Sequence, residues 1–309
     1  MNVGVQTKGI LPEMGLEEGV ALIANAGFER VDFNLDTFLK NSDVYAGRIN
    51  KFFDADLESL LAYFGEYKKA FEEHGIRPSQ MHAPYPILVP SRGDVTDYMQ
   101  KTVIPKSIAI AGMMEIPWVV MHPFKLQYTY GIDAERAMNL KYFESLIPLL
   151  KAYNVGVCVE NLYEAVGGRI TEGTCADPQD AIYYVDTLNH LADEELFGCC
   201  LDTGHMELTH RDPADYIRQV GKRLKILHIH ENDAIGDLHQ MLYTFGSKPE
   251  DGVDWNDFRK ALNEIGFDGT LSFETFPCVN SFPRGARGEV LRTIREIGKE
   301  IADKQNCEE

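Results

Sequence analysis

Residues 134–161 read AERAMNLKYFESLIPLLKAYNVGVCVEN. As far as Tyr153 the apolar positions recur at helical spacing. Then Val155, Val157 and Val159 open a short β-branched run that stops at Glu160 and Asn161. An amphipathic helix thus leads through a brief turn into a strand, and the strand ends in an ionisable side chain. Working outward in both directions, the same alternation recurs. Strands are expected at residues 2–6, 30–33, 78–82, 118–122, 155–160, 198–202, 225–230 and 270–274. Helices are expected at 16–26, 57–74, 98–112, 134–153, 178–191, 213–223, 255–265 and 289–301. Regular βα alternation predicts a parallel sheet covered by helices. Eight such units predict an α/β fold of the (β/α)8 TIM barrel type; a doubly wound open sheet is the alternative.

The rest of the chain agrees with one barrel. A barrel takes ~250 residues, more with long loops, and the chain has 309. No linker-like or low-complexity stretch interrupts it, so residues 1–309 are expected to form a single domain, with 303–309 a frayed acidic tail. No run of 18 apolar residues occurs, and the first residues lack the basic start and apolar centre of a signal peptide. Six cysteines without a CxxC pair suggest a reducing, cytoplasmic setting. The net charge of −18 opposes nucleic-acid and anionic-membrane partners. The loops 34–56, 83–96, 161–177 and 231–253 exceed the usual ~2–6 residues of such connections. All four follow strands, which is the barrel face where active sites are built.

Ionisable residues crowd that face. His82, His122, Glu160, Asp202, His230 and Glu274 end strands, and His205, His228 and His239 lie at or just after strand ends. Side chains alternate along a strand. Glu160 therefore shares its face with Cys158, Asp202 with Cys200, His230 with His228, and Glu274 with Ser272. Val157, Val159, Leu227, Ile229, Leu271 and Phe273 point the other way, toward the helices. Carboxylates and imidazoles gathered inside a barrel are costly unless compensated. A divalent cation is the simplest compensation, and oxygen with imidazole ligands suits Mn²⁺, Zn²⁺, Co²⁺ or Fe²⁺.

In chain order, MHAPY, VVMHP, VCVEN, LDTGH, HIHEND, DLH and LSFET resemble the xylose-isomerase-like barrel superfamily, which includes sugar isomerases and epimerases and endonuclease IV-type enzymes. The resemblance implies a metal set of Glu160, Asp202, His230 and Glu274, with Glu160 and Glu274 also moving protons. It implies substrate contacts from His205, His82 and His122. The endonuclease-type relatives use further ligands, which match His82, His122, His205, Asp237 and His239. Relatives often form homo-oligomers.

The expected function is metal-dependent isomerisation or epimerisation of a small sugar or polyol-derived ketose, by proton transfer through a metal-stabilised enediolate. The alternatives are a multinuclear hydrolase of the endonuclease IV type, an inosose-type dehydratase, and a non-catalytic sugar-binding barrel. His228 is expected to support the site rather than ligate. Asp202 and His205 also have a plain reading as a helix cap. Arg284 and Arg287 are read as surface residues, with anion binding as the alternative. Phe124, Tyr128, Tyr130, Tyr163, Tyr243 and Phe276 are candidates for the pocket wall.

Overall fold

The computed structural model of the chain describes residues 1–245 and 252–303. Its parallel strands are β1 (Asn2–Gln6), β2 (Arg30–Asn34), β3 (Arg77–His82), β4 (Trp118–Met121), β5 (Gly156–Glu160), β6 (Phe197–Asp202), β7 (Leu224–His228) and β8 (Thr270–Phe273). They pair in chain order, and β8 also pairs with β1. The remaining seam closes just past the strands: Ile229 N–H donates to Ser272 O at 2.8 Å and Glu274 N–H to Ile229 O at 3.0 Å. Closure leaves no open sheet edge, so the structure is the barrel and not the open sheet. His122, His230 and Glu274, expected as last strand residues, sit just beyond the regular ladder.

The outer helices are α1 (Leu16–Asn25), α2 (Leu57–Glu73), α3 (Ile104–Met113), α4 (Ile132–Tyr153), α5 (Pro178–Ala192), α6 (Pro213–Val220), α7 (Trp255–Glu264) and α8 (Arg287–Ala302). Four begin on an aspartate that accepts first-turn N–H groups: Asp56, Asp177, Asp212 and Asp254. Pro178 and Pro213 occupy first-turn positions, where a missing N–H is harmless. α3 differs from the expectation, because the chain is already helical from Gly93 and passes through a wide turn at Met99–Val103. Pro105 has no N–H to give, and Ile104 N–H reaches back to Met99 O, one residue further than in an α-helix.

The segment 161–177, expected as a plain loop, contains an antiparallel hairpin of Tyr163–Val166 and Arg169–Glu172. Gly167 and Gly168 turn it at φ +58° and +78°, a backbone that a two-residue hairpin turn requires. The Gly-Gly pair was the signal in the sequence.

Two apolar layers hold the barrel. Outside the strands, Phe33, Phe64 and Phe71 meet edge to face between β2 and α2. Inside, Val120, Cys158, Cys200 and Ile226 form a small buried plug, directly below the strand ends that carry the ionisable groups. Among the described residues no helix is long and apolar enough to cross a membrane. Residues 246–251 of the loop 231–253, Cys307 and the expected tail, apart from Asp303, lie outside the described residues.

Candidate metal centre

β5 delivers Glu160 to the barrel axis, and four imidazoles surround its carboxylate. His122 Nε2 lies 3.0 Å and His82 Nε2 3.6 Å from Oε2, while His228 Nδ1 lies 3.4 Å and His205 Nδ1 3.5 Å from Oε1. Burial raises the Glu160 pKa, but His122 and His228 outweigh it and hold the carboxyl well below the usual range.

β6 delivers Asp202, which serves two purposes at once. Its Oδ1 caps the short helix Thr203–Leu208 by accepting His205 N–H at 2.8 Å, and its carboxylate meets His230 Nε2 at 3.0 Å. The cap expected from the sequence and the site residue are therefore the same side chain. Asn161 stitches the two strand ends together, donating to Asp202 O at 3.0 Å and accepting Asp202 N–H at 2.7 Å. Gly204 follows because nothing larger fits: a Cβ there would lie 2.1 Å from His230 Cε1. The glycine of LDTGH thus lets the imidazole after β7 approach the start of a helix.

The loop 231–245 returns Asp237 and His239 to the site. Asp237 Oδ2 lies 3.3 Å from His239 Nε2 and 3.8 Å from His205 Nε2. His239 Nδ1 lies 3.5 Å from Glu274 Oε2. All nine expected residues are thereby in one network. Seven of them line a single cavity of about 460 Å³ at the C-terminal end of the barrel, while Asp202 and His230 lie beneath it with no exposed surface. The predicted four are shared between neighbouring groups: Glu160 with Asp202 and His205, and His230 with Glu274 and His239, ligand atoms within 4.8 Å in each.

These residues fit a divalent cation. His82, His205 and His239 each place Nδ1 against a backbone carbonyl, of Ala83, Asn161 and Glu274, at 2.8, 2.8 and 2.9 Å. An Nδ1–H donated there leaves the Nε2 lone pair for a metal. His230 Nδ1 is buried without a hydrogen-bond partner among the described residues. The neighbouring carboxylates favour the protonated form of two of the rings. Burial lowers the pKa of His205 and His239, but Asp202 and Asp237 for the former, and Asp237 with Glu274 for the latter, push them up to about 10 and about 9.

His228, expected to support the site, also belongs to two groups with ligand atoms within 4.8 Å of one another, one with His82 and Glu160 and one with Asp202 and Glu274. It bridges Asp32 Oδ2 at 3.1 Å and Glu160 at 3.4 Å, and Gln80 also donates to Asp32. Asp32 escaped notice in the sequence, although it alternates with Val31 and Phe33 and so faces the barrel interior. Tyr85, in MHAPY, was also missed; its ring stacks on His122 at 4.1 Å. Arg284 and Arg287 pair with Glu18 and Glu13 on the surface. The cations that line the cavity are instead Lys8 and Lys125. Neither was singled out, although each follows a strand end. Phe124 and Tyr163 line the cavity; Phe276 packs beside His239; Tyr130 and Tyr243 are exposed.

The model of the xylose isomerase-like TIM barrel family matches residues 17–297. The chain belongs to that family. Within it, the chain is 32% identical over 123 residues to the Ketose 3-epimerase of Arthrobacter globiformis, covering 40% of this chain and 35% of that protein. It is 24% identical over 226 residues to the "Probable endonuclease 4" of Mycoplasma pneumoniae, covering 69% of each. The crystal structure of a D-tagatose 3-epimerase-like protein superposes with a TM-score of 0.66 at 18% identity, covering 98% of this chain and all of that one (100%). At that identity the superposition speaks for the fold.

Proposed function

We propose that this xylose isomerase-like barrel is a metal-dependent isomerase or epimerase of a small sugar or polyol-derived ketose. The observation that carries the proposal is the pair of glutamates on one cavity. Glu160 and Glu274 both approach His228 Nδ1, at 3.4 and 3.9 Å, and both open onto the same 460 Å³ space. That volume suits a monosaccharide better than a polymer. Glu160, Asp202, His230 and Glu274 would hold the cation. When bound, it supplies Lewis acidity toward a substrate carbonyl and its neighbouring hydroxyl.

The chain's own residues do the rest. One of Glu160 and Glu274 removes the proton alpha to the carbonyl, and the other returns it. His228, locked between Asp32 and Glu160, keeps the Glu160 carboxylate in one orientation. His82, His122 and His205 present imidazoles to substrate hydroxyls, and Tyr85 and Tyr163 wall the space. The five described cysteines are buried and unpaired, the state a reducing cytoplasm maintains.

Metal-replete protein incubated in deuterated water with ketopentoses, ketohexoses and their phosphates should place deuterium alpha to the carbonyl of at least one of them. Complete absence of exchange across the panel overturns the proposal. One observation favours a second reading, a multinuclear hydrolase: His82, His122, His205, Asp237 and His239 complete a donor set larger than one cation needs. Two or three metals per chain together with phosphodiesterase turnover would move that reading to the front.

A further inference from the structure

The cavity sits in a chain of net charge −18 and its floor is carboxylate-rich, so a cation in its wall calls for an explanation. Lys8 has one. Its Nζ is 2.5 Å from Asp36 and lies over the rings of Phe276 and Tyr85, at 5.2 and 5.7 Å. Its charge is already matched.

Lys125 is different. It follows β4 in the sequence HPFK and lines the same cavity. Its ammonium lies 5.3 Å from the Tyr163 ring centre and makes no hydrogen bond or ion pair among the described residues. Of the nearby acidic groups, Glu164 exerts the largest pull on the ammonium without forming an ion pair with it, and the other two are otherwise engaged. Glu135 accepts from Leu126 N–H and from Thr174 Oγ1–H, both at 2.9 Å, and Glu160 is ringed by histidines. The hairpin after β5 holds the lysine in place. Tyr163 begins that hairpin, and Gly173 follows it; a Cβ at Gly173 would come within 2.9 Å of Lys125 Cε. One short element thus supplies both the ring beside the ammonium and the space for its stem. Burial brings the Lys125 pKa down to about 8 against the opposing pull of Glu164, Glu135 and Glu160. A half-buried ammonium without a carboxylate partner is compensated best by an oxyanion from outside the chain.

We infer that Lys125 receives an anionic substituent of the substrate, a phosphate ester or a carboxylate, so that the ketose handled here is a sugar phosphate or a sugar acid rather than a neutral sugar. This deepens the sugar-site proposal above and rests on it.

Calorimetric titration of the metal-replete protein tests it, using xylitol, xylitol 5-phosphate, D-xylonate and inorganic phosphate with wild type, Lys125→Met and Lys125→Arg. One of the two charged polyol derivatives should bind about 10–100-fold more tightly than xylitol, as one charge-assisted hydrogen bond provides. Which of them does so tells phosphate from carboxylate. Lys125→Met should abolish the preference, and Lys125→Arg should keep most of it. Xylitol bound as well as its charged derivatives overturns the inference and leaves the sugar site standing. So does a preference that survives in Lys125→Met, which would put the anion on the metal. Phosphate binding that depends on Lys125 while no polyol binds upholds the anion site and removes the sugar; no binding of any probe removes both.

Discussion

Two layers of the same strands are equally buried and physically opposite. In the lower layer Val120, Cys158, Cys200 and Ile226 pack against one another inside the barrel. Two residues further along the strands, Glu160, Asp202 and His228 occupy the next inward positions, and they too are 1% exposed or less. Burial stabilises the first layer by removing apolar surface from water. It penalises the second, where each charge must be matched by a neighbour. The lower layer supports the fold, and the upper layer is sustained by it. Accessibility therefore does not separate the apolar plug from the candidate site residues in this barrel. Chemistry at fixed parity does.

The sharpest way to break the comparison is to neutralise the upper layer. Glu160→Gln keeps shape and removes charge, so solvent exchange of substrate should fall about 10²–10⁴-fold, while the melting temperature, compared with wild type after both are stripped of metal, should hold or rise. A melting temperature that collapses along with activity would class Glu160 with the plug.

The converse change is Ile226→Ala in the plug. Denaturant unfolding should show about 2–5 kcal/mol of lost stability, with metal content per folded chain unchanged by elemental analysis. Loss of metal without loss of stability would mean that the layers are not separable.

Metal removal comes next in size. A cation present at about 100 times its dissociation constant contributes about 2.7 kcal/mol. Chelation should lower the melting temperature of wild type accordingly and leave Glu160→Gln much less affected. An equal drop in both would place the cation away from Glu160.

The smallest effect belongs to neither layer. Arg218 makes a surface network with Asp257 and Glu264, both at 2.7 Å. Arg218→Ala should cost less than about 1 kcal/mol in unfolding experiments, as exposed ion pairs do, and should leave turnover unchanged.

Much of this was legible before any coordinates. Glu160, Asp202, His230 and Glu274 were recognisable because strand parity and strand ends are local properties, and the helix caps at Asp177 and Asp212 announce themselves by the proline that follows each. Asp32 was harder, since one inward acid in RVDFN looks like any strand residue until His228, far along the chain, reaches it. Lys8 and Lys125 look like ordinary loop lysines in TKG and HPFK. Only the cavity distinguishes them from Arg284 and Arg287, which read as surface residues and pair with Glu18 and Glu13.

By itself the sequence determined the barrel, the face that carries the chemistry and the side chains that point into it, because a period of two and a run of βα units are encoded within short windows. The tertiary structure decided which of those side chains meet, that Asp202 is cap and site residue together, and that Lys8 is neutralised while Lys125 is not. Those outcomes depend on ring closure, which brings residues more than a hundred positions apart within 4 Å, as it does Asp32 and His228, and no local window contains that distance.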